Sequence, residues 1–318
     1  MKKLLNPFRN INNNLHKRSL NSLFKKLPHF NGFSLFDVGA AGNIEPRWCQ
    51  IEDSIIYTGF EPDKRSRELL MKNKNSCLKY SLIPYALWEV GCDLTLNLCK
   101  KLQNSSVYTP NFDLINKYPD PDRYQIDKTV VVPAIKLDDN DSIDCDFMKI
   151  DVQGAELNVL KGGGKFLNKV LGLEVEVEFM EIYKDQALFC EVNNYLVAAG
   201  FEFMDFITLV RWSNSPDLGA GQLSFGDALF LRAPEFVVKN CSTSKISSYL
   251  LICCLYHQYD ILYKAISLMP DNIRNDYSSF LVSVKKHILR HKLAWFFSRV
   301  INFVYYIFGG QYRSHLLR

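Results

Sequence analysis

Three short acid-bearing motifs hold the residues best suited to chemistry. The first is Asp37-Val38-Gly39-Ala40-Ala41-Gly42, which directly follows an apolar run. Glycines at a strand-to-helix turn let the backbone pass close to a ligand where any Cβ would collide. The order is an acid, one residue, then G-x-x-G, not the G-x-G-x-x-G that seats a pyrophosphate on a helix N-terminus. An acid at this point repels phosphate and attracts a cation, and the sulfonium and amino groups of S-adenosylmethionine are cationic. The second motif is Gly59-Phe60-Glu61-Pro62-Asp63, with Glu61 24 residues after Asp37. A carboxylate at that distance, at the end of the next strand, accepts both hydroxyls of a ribose. The alternative role for Glu61 is a helix N-terminal acid. The third motif runs from Asp146 to Glu156: Asp151 ends an apolar run and Glu156 opens a helical one.

These motifs need a scaffold that presents strand ends side by side. Ser34 to Val38, Ile55 to Phe60, Phe147 to Ile150, Leu171 to Phe179, Phe201 to Phe206 and Ala228 to Leu231 read as strands. Helical periodicity occupies Lys64 to Lys74, Ala155 to Leu160 and Ala187 to Ala199. This alternation predicts an α/β fold with a doubly wound parallel sheet, whose ligand sits beyond the carboxyl ends of the strands near the switch point. Residues 100–128, rich in Pro, Ser, Asn and Tyr, break the alternation and are expected to form a substrate lid. After Pro234 the pattern becomes helical. The expected organisation is a basic segment over 1–30, an α/β domain over 31–234 and a helical region over 235–318.

The turn DVGAAG, the FEPD, the NSSVYTP, the KIDVQGAELNVLKG and the closing GDALFLR together resemble the FkbM-type methyltransferases across residues 31–234. The resemblance implies a Rossmann-like class I methyltransferase sheet of seven strands, the last antiparallel, with a C-terminal helical appendage here. It implies S-adenosyl-L-methionine as methyl donor and a hydroxyl of a sugar, glycan precursor or other natural product as acceptor. Carried over residue by residue, Asp37, Gly39, Ala40 and Gly42 form the cofactor turn, Glu61 and Pro62 the ribose clamp, and Ala86 the adenine contact, with Asp151 near the methyl group. Two other classes compete: a nucleotide-cofactor oxidoreductase, against which the missing third glycine argues, and a non-catalytic adaptor on the same fold that binds a partner through its C-terminal helices.

Methyl transfer to oxygen is an in-line displacement in which positioning supplies much of the rate and a base need only take the hydroxyl proton. No histidine lies within 31–234, so a carboxylate must serve, and Asp151 and Glu156 are the candidates. Each also has a structural reading, Asp151 orienting the cofactor and Glu156 capping a helix. The strand Leu173 to Phe179 places Glu174, Glu176 and Glu178 on one face, unusual for an interior parallel strand. Either that strand is exposed or its glutamates border the active site. Such oxygens suit a divalent cation, but without a histidine or a ligand-spaced motif no metal is expected.

The net charge of +4 conceals an asymmetry. Residues 1–30 and 281–318 each carry seven basic residues and no acid, so the middle holds 38 − 14 = 24 basic against 34 acidic residues. An acidic middle argues against a nucleic-acid partner. Trp295, Phe296, Phe297, Val300, Phe303, Val304 and Ile307 recur at helical spacing beside Lys285, Lys286, Arg290, Lys292 and Arg299. That combination fits an interfacial helix on an anionic membrane surface; the other readings are solvated tails, packing on the domain, or a homo-oligomer interface. No apolar window reaches the roughly 18 residues a spanning helix needs. The N-terminus lacks the apolar stretch of a secretory signal, and the odd, scattered cysteines contain no C-x-x-C. A cytoplasmic protein, peripheral on the inner membrane face if the basic helix binds there, is the expectation.

Overall fold

The computed structural model describes residues 23–40, 44–72, 77–140, 142–215 and 219–307. A seven-stranded sheet is built from β1 (Phe33–Val38), β2 (Ile55–Phe60), β3 (Lys79–Ile83), β7 (Phe147–Ile150), β8 (Gly172–Glu178), β9 (Phe201–Trp212) and β10 (Gln222–Arg232). Its order is β3-β2-β1-β7-β8-β10-β9. The first five strands run parallel, whereas β10 is antiparallel to both β8 and β9. β1 is buried along its whole length, as an interior parallel strand covered on both faces must be. The chain leaves β1 toward β2 and β3, then returns to β7 on its other side. The switch point therefore falls between β1 and β7, at Asp37 and Asp151.

Helices α1 (Lys64–Lys72), α3 (Glu156–Lys161) and α4 (Phe189–Ala198) fall where the periodicity placed them, although Lys74 lies outside the described residues. Leu173, Val175 and Val177 of β8 turn toward Val159 and Leu160 of α3 and Val192 and Leu196 of α4 in one core cluster.

The span between β3 and β7 differs most from expectation. It contains a three-stranded sheet, ordered β4-β6-β5, from β4 (Ala86–Leu87), β5 (Cys92–Cys99) and β6 (Ile126–Ile135). The expected lid over 100–128 is a packed wall. Within it α2 (Phe112–Ile115) and a short helical turn at Pro121–Tyr124 bring Ile115 and Tyr124 against Met180, Ile182, Tyr183 and Trp212. Its aromatics are therefore core residues, which a freely opening lid would leave in water.

Among the described residues two compact units emerge, one over residues 29–268 and one that joins residues 269–307 to residues 23–28. The expected boundary after residue 234 thus moves to Leu268, because α5 (Pro234–Asn240), α6 (Thr243–Leu255) and α7 (Tyr259–Leu268) pack with the sheet. All residues of α6 from Ile246 to Leu255 are buried, and a helix that is apolar all round has no stable place in solvent. Lys245 Nζ lies 2.7 Å from Asp146 Oδ1 and 2.7 Å from Asp144, while the other Asp146 oxygen accepts the Ser34 backbone N–H at 2.8 Å. Tyr249 donates to the Arg232 carbonyl at 2.6 Å.

In the second unit, α8 (Asp271–Arg274) precedes α9 (Ser278–Ile307), and Leu23, Phe24, Leu27, Tyr277, Phe280 and Val284 are buried. Among the described residues no helix is long and apolar enough to cross a membrane.

The Lys245 clamp is testable. Lys245→Met leaves the buried Asp146 carboxylate without its cation, and loss of one partner of a buried pair costs about 3–5 kcal/mol. Since Lys245 retains some solvent contact, about 2–3 kcal/mol is expected from urea unfolding monitored by circular dichroism. A loss under about 0.5 kcal/mol would mean that α6 is not fastened to the sheet through this pair.

Candidate active site

A cavity of about 700 Å³ opens beyond the carboxyl ends of β1, β2, β7 and β8, at the switch point. Asp37, Gly39, Glu61, Pro62, Ala86 and Asp151 all line it. Ala40 is buried, its N–H donating to the Phe60 carbonyl at 3.2 Å, and is not among the lining residues. Gly42 lies outside the described residues.

Gly39 answers first to the fold. Its φ is +81°, and a Cβ there would stand 1.9 Å from the Asp151 carbonyl oxygen. The tight crossing of the β1 and β7 ends requires a bare backbone at this point. Asp37, one turn of the pleat earlier, pairs across the sheet with Lys149. Its Oδ2 accepts the Tyr57 hydroxyl at 2.8 Å, and its Oδ1 is buried with no partner. Burial pushes the Asp37 carboxyl up, an effect that Lys149 and the Tyr57 hydrogen bond only partly offset. Burial alone would lower the Lys149 ammonium; Asp151, Asp37 and Glu45 around it raise it instead.

Glu61 ends β2 with one oxygen fixed: Oε1 accepts the Asp63 N–H at 2.7 Å. Arg67 donates to the Glu61 and Pro62 carbonyls at 2.8 and 2.6 Å, which locks the turn beneath it. Burial raises the Glu61 carboxyl to about 7.

The Asp151 carboxylate lies 3.2 Å from Lys149 Nζ and accepts Gln153 Nε2 at 2.9 Å. Gln153 also donates to Glu176 Oε1 at 2.7 Å and accepts the Tyr183 hydroxyl at 2.9 Å. Its φ of +58°, followed by +98° at Gly154, turns this amide back into the cavity. One amide thus bridges two carboxylates. Glu156, the other expected catalytic acid, faces elsewhere: its Oε1 accepts the Val152 and Gly154 N–H groups at 2.9 and 3.2 Å, it is buried, and it does not line the cavity. It shapes the loop that carries Gln153, which is the structural role of a helix-start acid.

The three glutamates of β8 divide their work. Glu174 accepts the Tyr256 hydroxyl and lies 3.3 Å from Arg47. Glu176 and Glu178 line the cavity, and burial, with neighbouring carboxylates, holds both well above the usual range. Among the described residues no three His, Cys, Asp or Glu side chains are arranged to hold a metal ion. Sequence reasoning missed Lys149, Gln153 and Tyr183. Only Lys149 left a signal, a lone cation inside a four-residue buried strand.

Parallel strands in this order with an antiparallel seventh inserted beside the last, and an acidic cavity at the switch point, define the class I, S-adenosylmethionine-dependent methyltransferase architecture. The model described as "Methyltransferase FkbM domain" matches residues 37–203, over half of the chain, and the chain belongs to that family. No match is found among curated proteins. Among solved structures, the FkbM methyltransferase from Methylobacillus flagellatus KT is 13% identical with a TM-score of 0.38, covering 63% of this chain and 44% of that one. The present chain therefore spans less than half the length of that relative. Magnesium protoporphyrin IX methyltransferase from Synechocystis PCC 6803 with bound SAM is 7% identical, TM-score 0.35, covering 68% and 79%. TrmK of M. capricolum, with S-adenosyl-homocysteine, is 11% identical, TM-score 0.32, covering 86% and 96%.

The raised carboxyls predict a pH dependence. A carboxyl that titrates near 4.5 in the unfolded chain but higher in the fold binds more protons in the folded state between those values, so stability is lost as pH rises between them. Glu61 does so up to about 7, and burial raises Glu178 well above its ordinary value as well. Glu178→Gln should therefore raise the melting temperature of the ligand-free protein at pH 8. The gain should vanish near pH 4.5. Thermal melts of both proteins across this range read the difference, and a gain that grows toward low pH would contradict the assignment.

Proposed function

We propose that this protein transfers a methyl group from S-adenosylmethionine to a hydroxyl of a sugar or glycan precursor. The observation that carries the proposal is Asp37 Oδ1, a buried carboxylate oxygen with no partner on the wall of an acid-lined cavity. A buried polar atom without a hydrogen bond is costly, and an amino group is the donor that this oxygen lacks. The residues fit the cofactor. Asp37 would accept the amino group, Glu61 with its fixed oxygen the ribose hydroxyls, and Ala86 and Leu87 would flank the adenine. When bound, the cofactor supplies an electrophilic methyl on a cationic sulfonium.

The chain's own part is positioning and proton handling. Asp151 sits at the switch point with its two oxygens oriented by Lys149 and Gln153. It would accept the proton of the acceptor hydroxyl while Gln153 keeps Glu176 from approaching freely. Tyr124, Tyr183 and Trp212 supply aromatic surface of the kind that packs against a sugar ring.

Glu61→Ala should weaken S-adenosylmethionine binding by about 2–3 kcal/mol, since hydrogen bonds to charged groups contribute roughly 1.5–3 each. Asp151→Asn should lower turnover by about two to four orders of magnitude while S-adenosylhomocysteine still binds. Calorimetry and single-turnover kinetics measure the two effects. An unchanged dissociation constant removes Glu61 from the site; wild-type turnover in Asp151→Asn removes the base.

A membrane-facing role for α9, on the cytoplasmic side, belongs to the same reading. Val282, Leu289 and Leu293 are exposed and recur at spacings of seven and four residues, on one helix face. Lys285, Lys286, Arg290 and Lys292 accompany them without an acid, as an interfacial helix requires. The side chains of Trp295, Phe296, Phe297, Val300, Phe303, Val304 and Ile307 lie outside the described residues. Vesicles with anionic lipid should sediment the protein at low salt, and Leu289→Glu with Leu293→Glu should release it, each basic residue near the surface contributing about 1 kcal/mol. Equal sedimentation with neutral vesicles would oppose this role.

A further inference from the structure

The cavity changes character away from its acidic floor. The wall formed by the 100–128 segment carries Asn104 and Arg123, and each leaves a buried nitrogen without an acceptor: Nδ2 of Asn104, a residue 6% exposed, and Nε of Arg123. Buried donors are nearly always paired, and two orphans on one cavity wall mark a place prepared for acceptor oxygens. Arg123 has no ion pair among the described residues. Its guanidinium carbon lies 5.0 Å from the Trp212 ring centroid and 5.2 Å from that of Tyr124. Ring faces, not a carboxylate, hold it.

The two donors belong to one corner. The Asn104 carbonyl lies 3.0 Å from the Tyr183 hydroxyl, and the Tyr183 and Tyr124 ring centroids are 5.9 Å apart. The Arg123 carbonyl accepts the Lys101 N–H at 3.1 Å. Lys101 and Arg211 also line the cavity, and neither has a carboxylate partner among the described residues.

We infer that this corner binds an anionic group, a carboxylate or a phosphate, on the methyl acceptor. The inference rests on the methyltransferase reading above and names the acceptor's charge. A guanidinium offers planar, paired donors that match an oxyanion, and a cation held against aromatic faces keeps its charge available. Asn104 Nδ2 would supply a further donor. Asp37 and Glu61 on the floor would seat the cationic methyl donor, and Arg123 on the wall the anionic acceptor. Opposite charges in a shared cavity also disfavour each ligand in the other's seat.

The test uses the full chain saturated with S-adenosylhomocysteine and titrates four probes by calorimetry: D-glucose, D-glucuronate, D-glucose 6-phosphate and inorganic phosphate. At least one anionic sugar should bind tenfold or more tighter than glucose. Glucuronate against glucose 6-phosphate separates carboxylate from phosphate, and inorganic phosphate shows whether the anion suffices without its ring. Arg123→Gln should abolish the preference and Asn104→Leu should reduce it, with S-adenosylhomocysteine affinity within twofold of wild type. Should Arg123→Gln melt at lower temperature, Arg123→Lys keeps the charge but loses the fork, and should retain part of the preference. Equal binding of glucose and the anions, or a preference untouched by both Arg123 variants, overturns the inference. Failure of wild type to bind S-adenosylhomocysteine overturns the methyltransferase reading instead, so the two failures are distinct.

Discussion

Everything at the carboxyl edge of the sheet depends on how closely β1 and β7 approach. Their ends meet with Gly39 against the Asp151 carbonyl and with Asp37 opposite Lys149. No side chain fits at residue 39, so the crossing is set by backbone, and the crossing in turn brings two carboxylates to one ammonium. Lys149 is the cation between them. Without it, Asp37, Asp151 and Glu45 would confront one another in a space partly closed to water, where like charges interact far more strongly than in solvent.

The consequence is a site held away from its most stable state. Asp37, Glu61, Glu176 and Glu178 are all pushed toward their neutral forms, burial being the first cause in each. A protein selected for stability alone would replace several of these acids, because burying ionisable groups without partners is unfavourable. A cationic ligand held by these acids would offset that cost. On the proposed function, binding and stability are opposed through the same carboxyls.

Gln153 joins this floor to the wall above it. Its backbone adopts a left-handed conformation, its amide spans Asp151 and Glu176, and its carbonyl accepts the Ser106 hydroxyl at 2.7 Å. Through Tyr183 the same amide reaches Asn104. The wall is thus tied to the carboxyl edge of the sheet by hydrogen bonds, and to β9 and the segment after β8 by the Tyr124, Tyr183 and Trp212 cluster. A wall built this way is preorganised, and the cost of ordering it is met in folding.

The strands and helices that carry Asp37, Glu61 and Asp151 were legible because apolar runs and helical spacing are local patterns that burial enforces. β3 to β6 were not, since their half-exposed alternation and scattered polar residues resemble loop. Helices α5 to α7 were read as helical but not as part of the sheet's unit, because Lys245 and Asp146 meet across 99 residues of sequence. The same limit separates the two acids of the third motif. Sequence by itself determined that Asp151 and Glu156 flank a turn; tertiary structure alone decided that one faces the cavity and the other its own loop. The decision lies in the left-handed turn at Gln153 and Gly154 and in which backbone N–H groups it leaves for Glu156, a matter of three-dimensional placement that residue type and spacing do not encode.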